Sequence, residues 1–235
     1  MEGESYPVHI FLEKRGNSRA SIGKRGINIR LPQGMTREEL FREILKMKSW
    51  AREEIGKAPQ RFRKEAHPAY HDGQEIEVGN EKFVLRISHK EKESSSAFLE
   101  GNEIVLSISS GLDEAKRNRS VQVLLSRVIG RRRISGLKGR VERLNSLHFN
   151  LPLRKIFFKN NRSNWGSCSQ IGNINISTRL LFAPDDVLDY VCIHELAHLR
   201  EFNHSPAFWG LVEKAMPEYA EKEKWLDDHG KSCRF

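Results

Sequence analysis

The sequence has few cysteines and no long run of apolar residues. Cys168, Cys192 and Cys233 are its only three cysteines, they lie far apart, and no CxxC pair exists. This pattern argues against a disulfide framework or a CxxC-based zinc site, and it favours buried thiols in a reducing compartment. No segment approaches the ~18 consecutive apolar residues that cross a bilayer, and the acidic N-terminal residues lack the apolar core of a secretory signal. The sequence therefore predicts a soluble, cytoplasmic protein with no membrane partner.

The net charge of +9 is unevenly distributed along the 235 residues. Residues 113–162 contain 14 Lys and Arg but 3 Asp and Glu, whereas residues 184–230 contain 4 Lys and Arg but 11 Asp and Glu. A basic segment of this kind is compatible with nucleic-acid binding, and equally with the solvated face of a helix. Both interpretations stay open at the level of the sequence.

The first 110 residues predict a β-rich N-terminal module with one helix. Apolar and polar residues alternate in two runs within residues 6–31, and a turn signal at Gly16 between the runs indicates a β-hairpin. The segment Thr36–Glu39 has the pattern of a capping box, which opens a helix. Two further strand patterns lie between residues 82 and 108. None of these features indicates catalysis.

Residues 111–235 are predicted to form the catalytic domain. The segment from Leu112 to His148 has the periodicity of an amphipathic basic helix. After a strand pattern at Asn173–Ser177, Pro184 and the two aspartates that follow it mark the start of another helix, because proline and acidic residues suit the first helical turn.

This last helix contains the sequence His194-Glu195-Leu196-Ala197-His198. Histidines four residues apart project from the same face of a helix, so both imidazoles can bind one cation. Glu195 lies about 100° around the helix, where it can reach a water molecule on the metal without ligating the metal itself. Zinc lowers the pKa of such a water to about 7 and polarises a carbonyl. Glu195 is therefore predicted to be the general base, and His194 and His198 to be zinc ligands.

His204 is predicted to be the third zinc ligand, because two ligands do not hold zinc tightly. The helix is expected to end near Phe202-Asn203, where asparagine tolerates the left-handed conformation of a helix cap. Ser205-Pro206 has the pattern of an N-cap followed by proline at the first helical position. His204 would then lie at a rigid corner between two helices.

The strand Asn173–Ser177 allows two interpretations. As an exposed edge strand it could pair with an extended peptide, in which case Asn173 and Asn175 would contact the substrate. As an internal strand it would have no such role. A group that stabilises the developing oxyanion is also expected, and Tyr219, His229 and Arg179 are considered, although a structural role is preferred for each.

These motifs together resemble the YgjP-like metallopeptidase family, a group of zincins related to the SprT-like and WLM proteases. The resemblance rests on segments that all lie within residues 161–230: Trp165-Gly166-Ser167-Cys168-Ser169, Gly172-Asn173-Ile174-Asn175, the His194–His198 motif, and His204-Ser205-Pro206 with Phe208-Trp209. It implies a zincin-like α+β fold, in which a small sheet lies above the HExxH helix and its edge strand lines the cleft. It also implies His194, His198 and His204 as ligands and Glu195 as the base.

The sequence thus predicts a zinc metallopeptidase that acts on a protein or peptide substrate. One alternative is a zinc hydrolase of a non-peptide substrate, because a zinc–water–glutamate site does not fix the substrate. The other is a nucleic-acid-associated protein that uses the basic segment 113–162, either by itself or as a protease of DNA-linked proteins like its SprT-like relatives.

Overall fold

The computed structural model describes residues 6–23, 26–57, 69–161 and 163–235. Within these ranges the chain forms ten β-strands and five α-helices. They are divided between two compact units, residues 1–68 and 69–235. Small sheets and helices are mixed along the chain, and strands precede the helix that carries the histidine motif, which confirms the predicted α+β fold class.

The first unit is a three-stranded sheet with one helix. Its elements are β1 (Val8–Glu13), β2 (Arg19–Gly23), β3 (Gly26–Pro32) and α1 (Arg37–Lys57). The capping box at the start of α1 is confirmed, because the Thr36 N–H donates to Glu39 Oε2 at 2.7 Å and the Glu39 N–H donates to Thr36 Oγ1 at 3.3 Å. The core consists of buried side chains from β3 and α1: Ile27, Ile29, Leu31 and Ala51.

The interpretation of residues 6–31 as one hairpin is wrong. The strand β3 is central, with β1 parallel to it and β2 antiparallel to it. The turn signal at Gly16 therefore separates two strands that do not pair with each other. Alternation along a strand reveals which face is buried, but it does not identify the neighbouring strand.

The second unit begins with a four-stranded sheet covered by a long helix. Its elements are β4 (Glu75–Val78), β5 (Glu81–Lys90), β6 (Ser96–Glu100), β7 (Glu103–Ser109) and α2 (Glu114–His148), and the strand order is β4-β5-β7-β6. Buried residues of α2 between Val121 and Ile129 pack against this sheet. The boundary between the two compact units, after residue 68, therefore lies earlier in the chain than the predicted domain boundary at residue 110.

The second half of α2 contributes to a separate core. Leu137, Val141 and Leu144 are buried together with residues of the histidine-bearing helix. Gly130 lies between the two halves, where a Cβ would come within 3.2 Å of Thr178 Cγ2 and 3.4 Å of Phe158 Cβ. A side chain at position 130 would therefore press against Thr178 and Phe158.

A second three-stranded sheet lies in the same core. Its strands are β8 (Lys155–Lys159), β9 (Gly166–Cys168) and β10 (Asn173–Ser177), and the order is β8-β10-β9. A short 3-10 helix (Thr178–Phe182) leads to the last helices, which are α3 (Asp185–Ala197), α4 (Pro206–Ala215) and α5 (Tyr219–His229).

None of the helices in the described part of the chain combines the length and the apolar character needed to cross a membrane. The cytoplasmic location stays a prediction.

Candidate metal centre

The helix α3 is fixed at its start by charge and in its middle by burial. Asp185 and Asp186 lie in the first turn, where the helix dipole favours negative charge. Arg140 of α2 donates to the backbone oxygen and to Oδ1 of Asp185, at 2.8 and 2.7 Å, and to Oδ1 of Asp189 at 2.8 Å. Apolar side chains of α3, including Val191 and Leu196, are buried in the core. The helix that carries the motif is therefore held at its first turn by Arg140 and along its length by burial of its apolar side chains.

The helix α3 ends earlier than predicted. Its last residue is Ala197, and His198 is the C-cap with φ −63° and ψ −16°. The expected end near Phe202-Asn203 is wrong, because the N–H groups of Leu199 and Arg200 donate to carbonyls three residues earlier, those of Leu196 and Ala197, each at 3.0 Å. His198 nevertheless keeps helical geometry, and its N–H donates to the His194 carbonyl at 3.2 Å. The two histidines therefore retain the helical spacing that the motif requires.

The predicted corner at His204 is present. The Ser205 hydroxyl accepts a hydrogen bond from the Phe208 N–H at 3.3 Å, and Pro206 is the first residue of α4. The Asn203 side chain accepts from the Ser205 N–H at 3.1 Å. These contacts fix the backbone immediately before and after His204.

The three histidines converge at one point. Each of His194, His198 and His204 offers a ring nitrogen, and these nitrogens lie within 4.8 Å of one another. The Nε2 atoms of His194 and His204 are 3.2 Å apart. Zn–N bonds of about 2.0–2.1 Å at tetrahedral angles would separate two ligand nitrogens by about 3.3–3.4 Å. The three imidazole donors therefore suit a metal ion, and the separation of the His194 and His204 nitrogens is close to that of two ligands of one zinc ion.

Lowered pKa values keep the imidazoles of His194 and His198 neutral, and neutral imidazoles can bind a cation. Burial, and then the proximity of the other two histidines, lowers the pKa of His194 to about 4. Burial also lowers the pKa of His198. The His198 Nδ1 lies 3.0 Å from the Glu201 carbonyl oxygen; because a carbonyl oxygen only accepts, Nδ1 carries the proton and Nε2 keeps the lone pair that a metal needs.

Phe208 packs against all three imidazoles. Its ring centroid lies 4.9 Å from that of His194, 4.4 Å from that of His198 and 4.9 Å from that of His204, and its side chain is fully buried. Phe208 belongs to the motifs that carry the family resemblance, but no sequence signal indicated its contact with the histidines. A rigid ring of this kind restricts the rotation of the imidazoles around it.

Glu195 lies in the same region, with 5% of its surface exposed. Burial raises the pKa of its carboxyl group to about 8. A cation between the histidines would oppose this effect, because a nearby positive charge favours the carboxylate. Among the described residues no side-chain hydrogen bond fixes the carboxyl group, whereas Gly166 of β9 lies directly against it. The contact with Gly166 is a feature that no sequence signal indicated.

The residues predicted to contact the substrate lie on the internal strand of their sheet. The strand β10 pairs with β8 on one side and with β9 on the other, so the interpretation of Asn173–Ser177 as an exposed edge is wrong. The Asn175 side chain is buried and donates to Ser167 Oγ at 2.9 Å. The predicted role of Asn173 and Asn175 therefore loses the strand pairing on which it was based. The edge of the sheet on this side is β9.

The three residues considered for oxyanion stabilisation have other contacts. The Arg179 guanidinium stacks on Trp165 at 3.9 Å and donates to the backbone carbonyls of Gly230 and Cys233. His229 stacks on the indole of Trp225. Tyr219 stacks on Trp209, whose ring lies 5.8 Å from that of His204. Tyr219 is thus the one of the three that lies next to a neighbour of the histidines.

Three histidines that converge within one helix–corner–helix segment of an α+β fold form a candidate metal centre. Comparison with protein families assigns the chain to one family. Residues 17–229 match the YgjP-like metallopeptidase domain, and the protein belongs to this family. It is therefore a metallopeptidase, and the resemblance predicted from the sequence is confirmed.

Two solved structures are similar to part of the chain. The metallopeptidase zymogen abylysin of Pyrococcus abyssi is 24% identical over 39% of this chain and 93% of its own length, with a TM-score of 0.36. The metallopeptidase zymogen jannalysin of Methanocaldococcus jannaschii is 21% identical over 39% of this chain and 94% of its own length, with a TM-score of 0.35. No curated protein matches the chain.

Proposed function

We propose that this protein is a zinc-dependent peptidase in which His194, His198 and His204 hold the metal and Glu195 is the general base. The convergence of three ring nitrogens within 4.8 Å of one another carries the proposal. When bound, zinc supplies Lewis acidity, which polarises a carbonyl and makes water acidic enough to attack near neutral pH.

Glu195 has the properties that a general base in this position needs. It follows His194 directly on α3, so it lies beside the ligands without sharing their direction. Its carboxyl group is shielded from solvent, which raises its affinity for a proton. In the proposed reaction it accepts the proton of the attacking water and delivers it to the amine that leaves when the peptide bond breaks.

The open edge of β9 is the surface that we propose for substrate binding. The Trp165 carbonyl accepts from the Ser177 N–H of β10, and the Ser169 N–H donates to the Asn173 carbonyl of β10. In the alternating antiparallel register, the N–H groups of Gly166 and Cys168 between these bonds therefore face away from β10. The carbonyl of Gly166 already accepts from Asn164 Nδ2 at 2.6 Å. An extended peptide that pairs with this edge would lie next to Glu195, because Gly166 contacts its carboxyl group.

We do not extend the proposal to nucleic acid. Several cations of the basic segment 113–162 pair with acids of the same chain. Arg132 and Arg133 lie 3.9 and 3.6 Å from Glu81, and Arg140 and Arg143 lie 2.8 and 3.5 Å from Asp189. These pairs support the interpretation of α2 as a solvated helix face. Nothing in its contacts favours binding to phosphate groups.

The proposal is tested by cleavage of an unstructured protein by the zinc-loaded enzyme and its Glu195→Gln variant. We expect the variant to bind zinc as the wild type does and to lose turnover by at least about 100-fold, because a general base contributes about 10²–10⁴ to the rate. Glu213→Gln, on the exposed surface of α4, is the matched control and retains activity.

A fully active Glu195→Gln variant contradicts the assigned base. Cleavage by neither protein, with zinc bound, favours hydrolysis of a non-peptide substrate or a very narrow specificity. A parallel assay with single-stranded DNA tests the nucleic-acid prediction. Stimulation that disappears as salt is raised would indicate phosphate contacts.

A further inference from the structure

Gly166 lies against the carboxyl group of Glu195 more closely than any other residue type could. A Cβ at position 166 would come within 2.5 Å of Glu195 Oε1, 2.7 Å of its Cγ and 2.8 Å of its Cδ. Separations below 3.0 Å are not found between real Cβ atoms and their neighbours. The three atoms nearest to such a Cβ all belong to Glu195, so a side chain at position 166 would collide with the proposed base.

Backbone conformation does not explain the glycine. Gly166 is not among the residues with positive φ, which include Gly172 in the same segment of the chain. It lies in β9 and pairs with Ile176 of β10 in an antiparallel register. Any residue adopts an extended conformation of this kind. Position 166 therefore requires glycine because any side chain there would occupy the space of the Glu195 carboxyl group.

The strand that carries Gly166 has little freedom to withdraw. The Trp165 carbonyl accepts from the Ser177 N–H at 2.7 Å, and the Asn164 side chain donates to the Gly166 carbonyl at 2.6 Å. The indole of Trp165 is covered on one side by the Arg179 guanidinium, 3.9 Å from the ring centroid. A methyl group at position 166 would therefore displace the carboxyl group in preference to the strand.

Glu195 depends on this contact for its orientation. It is buried, and among the described residues no side chain or backbone group forms a hydrogen bond with its carboxylate. A carboxyl group without hydrogen bonds is oriented by the atoms packed around it. The backbone of β9 at Gly166 is one of these neighbours, and it can be changed without altering α3.

We propose that Gly166 is a positioning residue for Glu195. Its missing side chain lets β9 approach the carboxyl group to contact distance and fixes the position from which Glu195 takes a proton. The same approach sets the separation between the base and a peptide paired with β9. The inference deepens the proposed function and rests on it for its catalytic part, while its steric part stands on the contact alone.

The catalytic part is tested with the zinc-loaded, full-length Gly166→Ala variant. We expect kcat to fall by about 100-fold, as for a displacement of about 1 Å in a catalytic group, while KM and bound zinc change little. A general structural defect would instead alter zinc content and KM together with kcat. The matched control is Gly210→Ala on α4, where an added Cβ has no neighbour within 4 Å and activity is expected to persist.

The steric part is tested by thermal unfolding of the metal-free proteins, which requires no activity. Gly166→Ala is expected to lower the melting temperature in the wild-type background and to lower it much less in a Glu195→Ala background, because the removed carboxyl group makes room for the methyl group. The same relief is expected if Gly166→Ala alone fails to fold and the double variant folds.

Two results would overturn the inference. One is an unchanged kcat in Gly166→Ala. The other is that Gly166→Ala lowers the melting temperature equally, or prevents folding equally, in the wild-type and Glu195→Ala backgrounds. If no variant or wild-type protein cleaves any peptide but the thermal coupling is observed, the proposed function fails and the steric relationship between Gly166 and Glu195 stands.

Discussion

The Nε2 atoms of His194 and His204 lie 3.2 Å apart, although a helix end and a change of chain direction separate the two residues. In the absence of a metal, one imidazole donates its Nε2–H to the Nε2 of the other. In the proposed metal site, a shared cation would instead bind a lone pair from each nitrogen. The relationship leads to a direct prediction about metal affinity.

Replacing His204 is expected to weaken zinc binding strongly. The variant His204→Ala leaves only His194 and His198 of the three clustered imidazoles. Two ligands do not hold zinc tightly. The loss should exceed the about 10- to 100-fold that removal of an outer-shell partner costs. Competition with a chromophoric chelator measures it. His148→Ala, which removes an exposed histidine at the end of α2, should leave the affinity unchanged, and equal affinities of all three proteins would exclude His204 as a ligand.

The stability of the metal-free protein is expected to depend on pH through Glu195. Burial raises the pKa of Glu195 from 4.5 to about 8, so between these pH values the folded state binds more protons at this site than the unfolded state. The stabilisation that the protonated carboxyl group provides is present at low pH and is lost as the pH rises through this window. Glu195→Gln has no such group. Its free energy of unfolding relative to wild type should therefore increase from about pH 5 to about pH 8.

Urea unfolding at several pH values, with a chelator present, measures this difference. The lowered pKa of His194 affects both proteins alike, so it does not contribute to the comparison. A difference that stays constant across the window would show that Glu195 has an ordinary pKa in the folded state. Saturation with zinc is expected to reduce the pH dependence, because the cation favours the carboxylate.

Arg140 is expected to contribute measurably to the stability of the catalytic core. Its side chain is 22% exposed and donates to Asp185 and Asp189 on α3. Arg140→Gln should lower the free energy of unfolding by about 1.5–3 kcal/mol, the range for hydrogen bonds to charged groups. Arg143→Gln is the control, because Arg143 is 57% exposed and forms one pair, at 3.5 Å, with Asp189. Its cost should be about 0–1 kcal/mol. Denaturant titration that gives equal losses would contradict the assigned anchoring role.

The local elements were predictable because their signals lie within a few residues. The capping box at Thr36, the N-cap at Ser205 and the strand at Asn173–Ser177 each depend on neighbours in sequence, and each occurs in the structure. The partners of the strands were not predictable in this way. The strand β1 pairs with β3, and β10 is internal, because pairing depends on segments that meet only in the folded chain.

The end of α3 was placed too late because the sequence offers Asn203 as a cap, while the backbone turns after Ala197. The error had no effect on the ligands, since His198 keeps helical geometry at the C-cap. Gly166 and Phe208 were missed as parts of the site for a different reason. Their contacts join β9 and α4 to residues of α3, and no periodic pattern records such contacts.

The sequence by itself determined which side chains form the candidate site: two histidines at helical spacing, a glutamate between them, and a third histidine before a serine–proline helix start. These features are local, because helix geometry alone fixes the direction of side chains four residues apart. Only the tertiary structure decided how the donors meet and what surrounds them. The distance from His204 to His194, the Phe208 ring against the imidazoles and the approach of Gly166 to Glu195 all depend on packing between different elements of the fold. Such packing is set by the whole core.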